Sequence, residues 1–291
     1  MIVVLAINQT NCSIFMHTIS LSLSERQIKA RIRACVLKGK RMTCHHCHSH
    51  KLIYLKKEDR YHCKKCRKKT SLLRQTWLRH VKISYSLFFK ILIAWTKECP
   101  VGVAAEACGT SKVTIRRYYK LFRQHIVKTL VFEPQNNVQV DEAYFGQFKK
   151  QANYFHGVRK YKIIDKVCVA GIGCPITGQL YARVIRETPK GNAIRNMIRE
   201  EVPKHITVYA DGSYIYTRLR SEYQLIQQTH DLGFHNAWFI EGCWSWMKRK
   251  LFKMYHHFDR KYAEEYVAEL VWRFNTRKSS KDPWVALWNS F

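Results

Sequence analysis

The sequence predicts an α/β domain in the C-terminal half of the chain, preceded by a cysteine-rich ribbon and a helical domain. Three observations predict this architecture. Two CxxC pairs stand close together in a basic segment, two short helical patterns separated by a glycine follow, and alternating apolar runs then continue through the second half. A length of 291 residues is enough for two or three such domains.

The charge of the chain predicts a polyanionic partner. Lys and Arg together number 51, and Asp and Glu number 21, so the formal net charge is +30. Residues 1–130 hold 27 basic and 5 acidic side chains, whereas residues 131–291 hold 24 and 16. Since 46% of the residues are hydrophobic, the chain can bury a core, which excludes a merely basic disordered tail. We expect a binding half followed by a catalytic half.

Residues 1–35 are predicted to be an N-terminal extension. Its first 24 residues carry no charged side chain, and the short apolar run at the start lacks the basic segment of a secretion signal. No window reaches the roughly 20 apolar residues of a membrane span. We therefore expect no membrane partner and an intracellular protein with reduced cysteines. Its expected location is the nucleus of a eukaryotic host, or otherwise the cytoplasm and nucleoid.

Two cysteine pairs predict one structural zinc ion in a ribbon over residues 36–75. Cys44 and Cys47 are separated by 15 residues from Cys63 and Cys66, a spacing typical of four-cysteine zinc ribbons. The alternative is two unrelated redox or surface pairs. A basic run from Lys64 to Lys69 favours DNA contact. Five histidines crowd the segment and are alternative ligands: His45, His46, His48, His50 and His62.

Residues 76–132 are predicted to form a helix-turn-helix DNA-binding domain. The apolar run from Ile83 to Trp95 indicates a buried helix, and a short helix, a turn at Gly109 and a cap at Ser111 lead into a longer basic helix. An ordinary αα-hairpin is the alternative. The side chains expected to pack inward are Val113, Tyr118 or Tyr119, and Phe122. Those expected to contact DNA are Lys112, Thr114, Arg116, Arg117 and Lys120.

Three acids mark residues 133–291 as a catalytic domain. Asp141 ends a predicted strand that begins at Val138, and Asp211 ends another that begins at Ile206. Glu241 lies on a predicted helix capped by Asn236. The apolar stripe that buries this helix is Ile240, Trp244, Met247 and Leu251.

Two strand-end aspartates and a helix glutamate are the arrangement of a ribonuclease H-like fold. Such acids hold two Mg²⁺ ions, or Mn²⁺, about 4 Å apart for in-line displacement at phosphorus. Glu142 is expected on the opposite face of the strand from Asp141. Lys248 stands seven residues after Glu241, nearly on one line along the helix, where it can hold a DNA phosphate.

Three blocks of the sequence resemble the catalytic blocks of Merlin-type transposases, eukaryotic elements with close bacterial insertion-sequence relatives. They are residues 141–146, 209–214 and 235–249, and residues 272–277 resemble the end of the family's C-terminal helix. The resemblance covers about residues 40–280. It implies a DDE transposase with Asp141, Asp211 and Glu241 as metal ligands and with Lys248 and Arg249 near DNA. Asn236 is the alternative third ligand. The segment after Asp141 keeps the family's basic charge but little of its glycine.

The resemblance implies an enzyme that cuts double-stranded DNA at terminal inverted repeats and joins the freed 3′-hydroxyls to target DNA. We expect a homodimer or higher homo-oligomer, because two ends are cut together. Two alternatives stay open. One is a domesticated DNA-binding protein without catalysis, and the other is a ribonuclease H-like junction nuclease that cuts branched DNA without needing particular ends.

Overall fold

The computed structural model describes residues 24–37, 39–79, 81–126, 130–146, 149–155, 158–164, 166–186, 190–228, 237–255 and 258–278. These residues divide into two compact units, and the boundary falls between Tyr119 and Lys120. No helix among the described residues combines the length and apolar character that crossing a membrane requires.

The first unit begins with a helix and a small sheet. Helix α1 (Glu25–Leu37) buries Ile28 and Ile32, and it runs across residue 35, where the predicted extension ends. Three short antiparallel strands follow in the order β1-β2-β3. Their bounds are Leu52–Leu55, Arg60–Cys63 and Lys69–Thr70, and a 3₁₀ turn follows at Leu72–Gln75.

Three helices complete this part of the chain, and they match the predicted pattern closely. They are α2 (Tyr85–Thr96), α3 (Val101–Cys108) and α4 (Lys112–Ile126). Gly109 ends α3 in the left-handed conformation at φ +63°, which glycine adopts at no steric cost. The Ser111 hydroxyl accepts a hydrogen bond from the Thr114 amide at 3.1 Å, so the predicted cap is confirmed.

The predicted inward position of Val113 is wrong. Its side chain is 72% exposed, whereas Ile115, Tyr118, Tyr119 and Phe122 are buried. Residues three, four and seven positions after Ile115 share its helix face, but Val113 lies two positions away and therefore points to the other side.

The second unit is a mixed α/β domain, as predicted. Its five-stranded sheet has the order β10-β9-β4-β7-β8. Strand β4 is parallel to β9, which is parallel to β10, while β4 and β8 both pair antiparallel with β7. The strands are β4 (Asn137–Phe145), β7 (Val167–Cys174), β8 (Gln179–Ile185), β9 (Thr207–Asp211) and β10 (Leu225–Gln228). Between β4 and β7 the chain forms an antiparallel pair, β5 (Lys149–Phe155) and β6 (Val158–Ile164).

Helices cover both faces of this sheet. The bounds are α5 (Lys190–Glu201), α6 (Tyr214–Thr217), α7 (Trp238–Tyr255) and α8 (Ala263–Thr276), with 3₁₀ turns at Arg218–Ser221 and Arg260–Tyr262. One apolar core joins the sheet to α7 and α8, and a second joins its other face to α5 and α6. The predicted stripe on α7 is confirmed, since Ile240, Trp244, Met247 and Leu251 are buried.

Asp141 does not end its strand, contrary to the prediction. Strand β4 continues to Phe145, because Ala143 and Phe145 extend the apolar alternation into the core beneath α7. The ladder between β4 and β9, however, ends at the pair Gln139–Tyr209, so Asp141 lies just beyond the last parallel pair.

Most cysteines of the described residues have no disulfide partner. Eight cysteines of the described part of the chain are free thiols. Cys99 is disulfide-bonded, which differs from the expectation of reduced cysteines throughout.

Candidate metal centre and acidic site

The four predicted zinc ligands converge at one point. Their sulfur atoms all lie within 4.8 Å of one another, and the Sγ–Sγ distances Cys44–Cys66 and Cys47–Cys63 are both 3.6 Å. A tetrahedral zinc–thiolate site with bonds of about 2.3 Å has sulfur atoms about 3.8 Å apart, so the cluster fits one zinc ion. The alternative of two unrelated pairs is thus disfavoured by the geometry.

The two cysteine pairs have matching backbone turns. The His48 amide donates to the Cys44 carbonyl at 2.8 Å, and the Arg67 amide donates to the Cys63 carbonyl at 2.9 Å. His48 and Arg67 each have a positive φ, 54° and 57°, as the fourth residue after the first cysteine of each pair. Amide hydrogen bonds from the Cys66 and Lys65 backbone lower the pKa of the Cys63 thiol to about 6, which favours the thiolate that binds metal.

One of the alternative histidine ligands, His45, makes a different contact in this unit. The His45 ring bonds the Thr70 hydroxyl at 2.9 Å, between the first turn and strand β3. Desolvation, with the charges of Lys68 and Arg74, lowers the pKa of both His45 and His46. Around this site, Lys64, Lys65, Arg67, Lys68 and Lys69 are exposed, so a cationic surface surrounds the second pair.

The residues predicted to contact DNA from α4 fall into two groups. Lys112, Arg116 and Arg117 are exposed on the helix surface. Thr114 and Lys120 are only half-exposed: the Thr114 hydroxyl bonds Ser111 at 3.0 Å, and the Lys120 ammonium lies 4.7 Å from the centre of the Tyr262 ring. The first group is therefore better placed to meet phosphates or bases.

The two aspartates lie on neighbouring parallel strands. Strand β4 pairs with β9 through Asn137–Thr207, Val138–Val208 and Gln139–Tyr209. Continuing this register by two residues brings Asp141 opposite Asp211. Because side chains alternate along a strand, both aspartates lie on the face of Gln139 and Tyr209, and adjacent strands are about 4.8 Å apart.

The carboxyl group of Asp141 is half-buried, and its environment changes its pKa. Burial raises its pKa to about 6, with further contributions from the charges of Glu142 and Asp211. The indole N–H of Trp244 donates to Asp141 Oδ2 at 2.9 Å and favours the charged form. The Asp211 carboxylate, in turn, accepts a hydrogen bond from the Ser213 amide at 3.0 Å. A divalent cation would relieve the repulsion between the two carboxylates.

Helix α7 is fixed to the strand that carries Asp141. The Gln139 side-chain oxygen accepts hydrogen bonds from the amides of Phe239 and Ile240, at 2.8 and 3.2 Å, in the first turn of the helix. Two glycines of β7 allow the helix to approach the sheet. A methyl group at Gly171 would lie 2.4 Å from the Trp244 ring, and one at Gly173 would lie 2.8 Å from the Phe239 ring.

Glu241 lies in this first turn of α7, and its side chain is exposed. It is three residues, about one helical turn, before Trp244, whose indole N–H donates to Asp141. Among the described residues, the four cysteines are the one group of three or more Cys, His, Asp or Glu residues whose ligand atoms lie within 4.8 Å of one another. The three acids are not gathered that tightly, and Asn236, the alternative third ligand, lies outside the described residues.

The two basic residues of α7 are both exposed. The Lys248 ammonium lies 5.8 Å from the centre of the Phe145 ring, at the far end of the strand that carries Asp141. Arg249 follows it on the outer side of the helix. Glu142, as expected, is on the other face of β4, where its carboxylate accepts a hydrogen bond from the Tyr216 hydroxyl at 2.6 Å.

Two residues of the site were missed in the sequence. Trp244 was predicted only as a core residue, yet its indole N–H holds Asp141. Gln139 was not singled out, although it stands two residues before Asp141 on the same face of the strand. A polar residue at that spacing in an otherwise apolar strand was the available signal.

The segment that contains the three acids resembles a known family of protein domains. Residues 134–275 match the ISXO2-like transposase domain. The matched segment is just under half of the chain, and it contains Asp141, Asp211 and Glu241. The ISXO2-like match supports a DDE transposase family for this protein, and thus a DNA transposase in general.

Similarity to individual proteins is weaker evidence about this chain than the ISXO2-like match. A chain of the cryo-EM structure of the simian T-cell lymphotropic virus intasome, in complex with PP2A regulatory subunit B56 gamma, is similar at 12% identity. The similarity covers 68% of this chain and 74% of that chain with a TM-score of 0.33, a value that supports no conclusion about fold or function. No protein of curated function matches the sequence.

Proposed function

We propose that this protein is a DNA transposase that binds terminal inverted repeats, cleaves the element ends and joins the freed 3′-hydroxyls to target DNA. One observation carries the proposal. Asp141 and Asp211 each stand two residues beyond the last parallel pair of β4 and β9, Gln139–Tyr209, within the segment that matches a transposase domain. Two adjacent carboxylates, one of them with a raised pKa, have the chemistry of a divalent metal site.

The proposed catalytic ligands are Asp141, Asp211 and Glu241. Their carboxylate oxygens are the hard donors that Mg²⁺ or Mn²⁺ prefers, and two such ions would supply activation of the attacking oxygen and stabilisation of the leaving oxygen. Trp244 and Ser213 orient the two aspartates through the hydrogen bonds at 2.9 and 3.0 Å. Exposed Lys248 and Arg249 hold DNA phosphates along α7.

The proposed DNA-binding region is the first unit. A structural zinc ion in the four-cysteine cluster holds the ribbon, whose exposed lysines neutralise phosphates. Helix α4, in a helix-turn-helix, presents Lys112, Arg116 and Arg117 to the major groove. A ribonuclease H-like catalytic fold, a Merlin-type specificity, assembly as at least a homodimer and a nuclear location in a eukaryotic host complete the proposal.

A cleavage and joining assay tests this function. Purified full-length protein and Mg²⁺ are incubated with duplexes that carry the inverted repeats flanking the gene. We expect nicking at the repeat ends and strand transfer into target DNA, both lost in Asp211→Ala. The matched control is Glu200→Gln, since this exposed carboxylate lies in α5 and pairs with Arg183 at 2.7 Å. The control is expected to keep wild-type activity.

The other outcomes decide between the alternatives. Tight binding to the repeat ends without cleavage would favour a domesticated DNA-binding protein. Cleavage of branched DNA regardless of its ends would favour a junction nuclease. Cleavage that Asp211→Ala leaves unchanged would reject the acid assignment.

A further inference from the structure

Two exposed aromatic residues flank the predicted acids. Tyr214 is 79% exposed and Trp238 is 63% exposed, which places them among the most exposed large hydrophobic side chains of the described residues. Tyr214 stands three residues after Asp211, and Trp238 stands three residues before Glu241. A single exposed aromatic residue needs no explanation, but one beside each of two predicted metal ligands does.

Both aromatic residues are attached to fixed backbone. Ser213 caps the turn that begins at Tyr214, and its amide donates to Asp211 Oδ1 at 3.0 Å. Trp238 begins α7, and the amide of the next residue, Phe239, donates to the Gln139 side chain at 2.8 Å. The Phe239 ring contacts the Trp238 ring edge to face, with centroids 5.7 Å apart. Each ring is therefore held near the acids, while most of its surface faces solvent.

The surroundings of the two rings favour nucleic acid as the occupant. Exposed Arg218 follows Tyr214 by four residues, and exposed Lys248 and Arg249 lie ten and eleven residues after Trp238, about 15 Å further along the same helix. Aromatic rings on a surface that also carries cations can bind unpaired bases, because every base offers a face for stacking and the phosphates that follow it need cations. Bases inside a duplex are already stacked on one another, so an exposed ring can stack only on bases that have left the duplex.

We propose that Tyr214 and Trp238 stack on unpaired bases next to the scissile phosphate, so that the true substrate is a DNA end opened at its terminal base pairs. This inference rests on the proposed transposase function and deepens it. The two residues are positioning residues: they stabilise the opened end, and the acids act on the phosphate.

The test compares two substrates and five variants of the full-length protein. One duplex has fully paired repeat ends, and the other has mismatches that open the terminal base pairs beforehand. Tyr214→Ala and Trp238→Ala are compared with Tyr214→Phe and Trp238→Phe, which keep a ring. Phe252→Ala is the matched control, because Phe252 is 70% exposed on the same helix but 11 residues beyond Glu241.

We expect each alanine variant to cleave paired ends roughly 5- to 150-fold more slowly, the range that loss of one base–aromatic stack gives. Cleavage of pre-opened ends should recover to within about threefold of the wild type, since stacking no longer drives the opening. The phenylalanine variants and Phe252→Ala should keep most of the wild-type rate on both substrates. Equal defects on the two substrates, or no defect, would overturn the proposal.

A binding measurement without divalent metal separates this inference from the proposed function. Wild-type protein should bind an end with a short single-stranded tail more tightly than a blunt end, and both alanine variants should lose that preference. If wild-type protein cleaves nothing but shows this preference, the transposase activity fails while the stacking role stands. If Trp238→Ala changes only the sedimentation of the protein, the surface binds a second copy of the chain and the proposal is wrong.

Discussion

At the residue scale, the most informative group is the Asp141 carboxyl. Its pKa is raised to about 6 from the ordinary 3.8, chiefly by burial, so the folded protein holds this proton more tightly than the unfolded chain does. The stability that the proton contributes is present below pH 3.8 and is lost as the pH rises through 6.

Asp141→Asn should therefore be more stable than the wild type at neutral pH, while cleavage is lost. Without added divalent metal, we expect the free energy of unfolding at pH 7.5 to rise by roughly 3 kcal/mol, with no difference near pH 3.5. Denaturant unfolding at the two pH values measures this. An equal change at both pH values would contradict the raised pKa of Asp141.

At the element scale, the approach of α7 to the sheet depends on Gly171. A methyl group there would lie 2.4 Å from the Trp244 ring, so Gly171→Ala should displace the ring that holds Asp141. We expect a loss of about 1–3 kcal/mol in unfolding free energy, together with slower DNA cleavage.

Gly242→Ala is the control, because a methyl group at this helix position meets no atom within 4 Å. Helix propensity should make that control as stable as the wild type or more so, by up to about 1 kcal/mol. Equal effects of the two substitutions would show that close packing at Gly171 is unimportant.

The elements themselves were largely predictable from the sequence, and the exceptions have physical reasons. Cysteine spacing, the Gly109 turn and the Ser111 cap are local signals, and the structure has the corresponding elements. Val113 was misplaced because only the stripe that begins at Ile115 decides which face of α4 is buried.

The contacts of the candidate site were not predictable in the same way. The bond from Trp244 to Asp141 joins residues 103 positions apart, and the register of β4 and β9 joins residues 70 apart. Alternation along one strand indicates which side chains share a face, but it does not indicate which strand or helix lies beside them.

At the scale of the whole molecule, the four-cysteine cluster should decide whether the first unit folds. Cys66→Ser is expected to lower the zinc content from one ion per chain to none and to remove an unfolding transition, because zinc binding contributes directly to folding. Zinc analysis and a thermal scan measure both effects. Cys174→Ser is the control, since this buried thiol donates to the Gln135 carbonyl at 3.6 Å and a hydroxyl can replace it. Retention of zinc by the Cys66 variant would contradict the four-thiolate site.

The charge of the chain should appear in the salt dependence of DNA binding. Each phosphate contact changes the slope of log K against log salt concentration by about 0.9. We expect Arg116→Gln and Arg117→Gln each to reduce the steepness of the slope by about that amount. Lys204→Gln should leave the slope unchanged, because this lysine pairs with Glu222 in the second unit. A titration followed by fluorescence anisotropy measures the slopes, and unchanged slopes in the arginine variants would argue against DNA contact through α4.

Asp141, Asp211 and Glu241 should act together in one metal-dependent cleavage site. Single-turnover cleavage rates of Asp141→Asn, Asp211→Asn, Glu241→Gln and their double combinations test this. If the acids act as a unit, each single variant should lose at least about a thousandfold in rate, and the double variants should be no slower than the single ones. A Glu241→Gln variant that cleaves at the wild-type rate, or rate losses that multiply in the double variants, would contradict the claim.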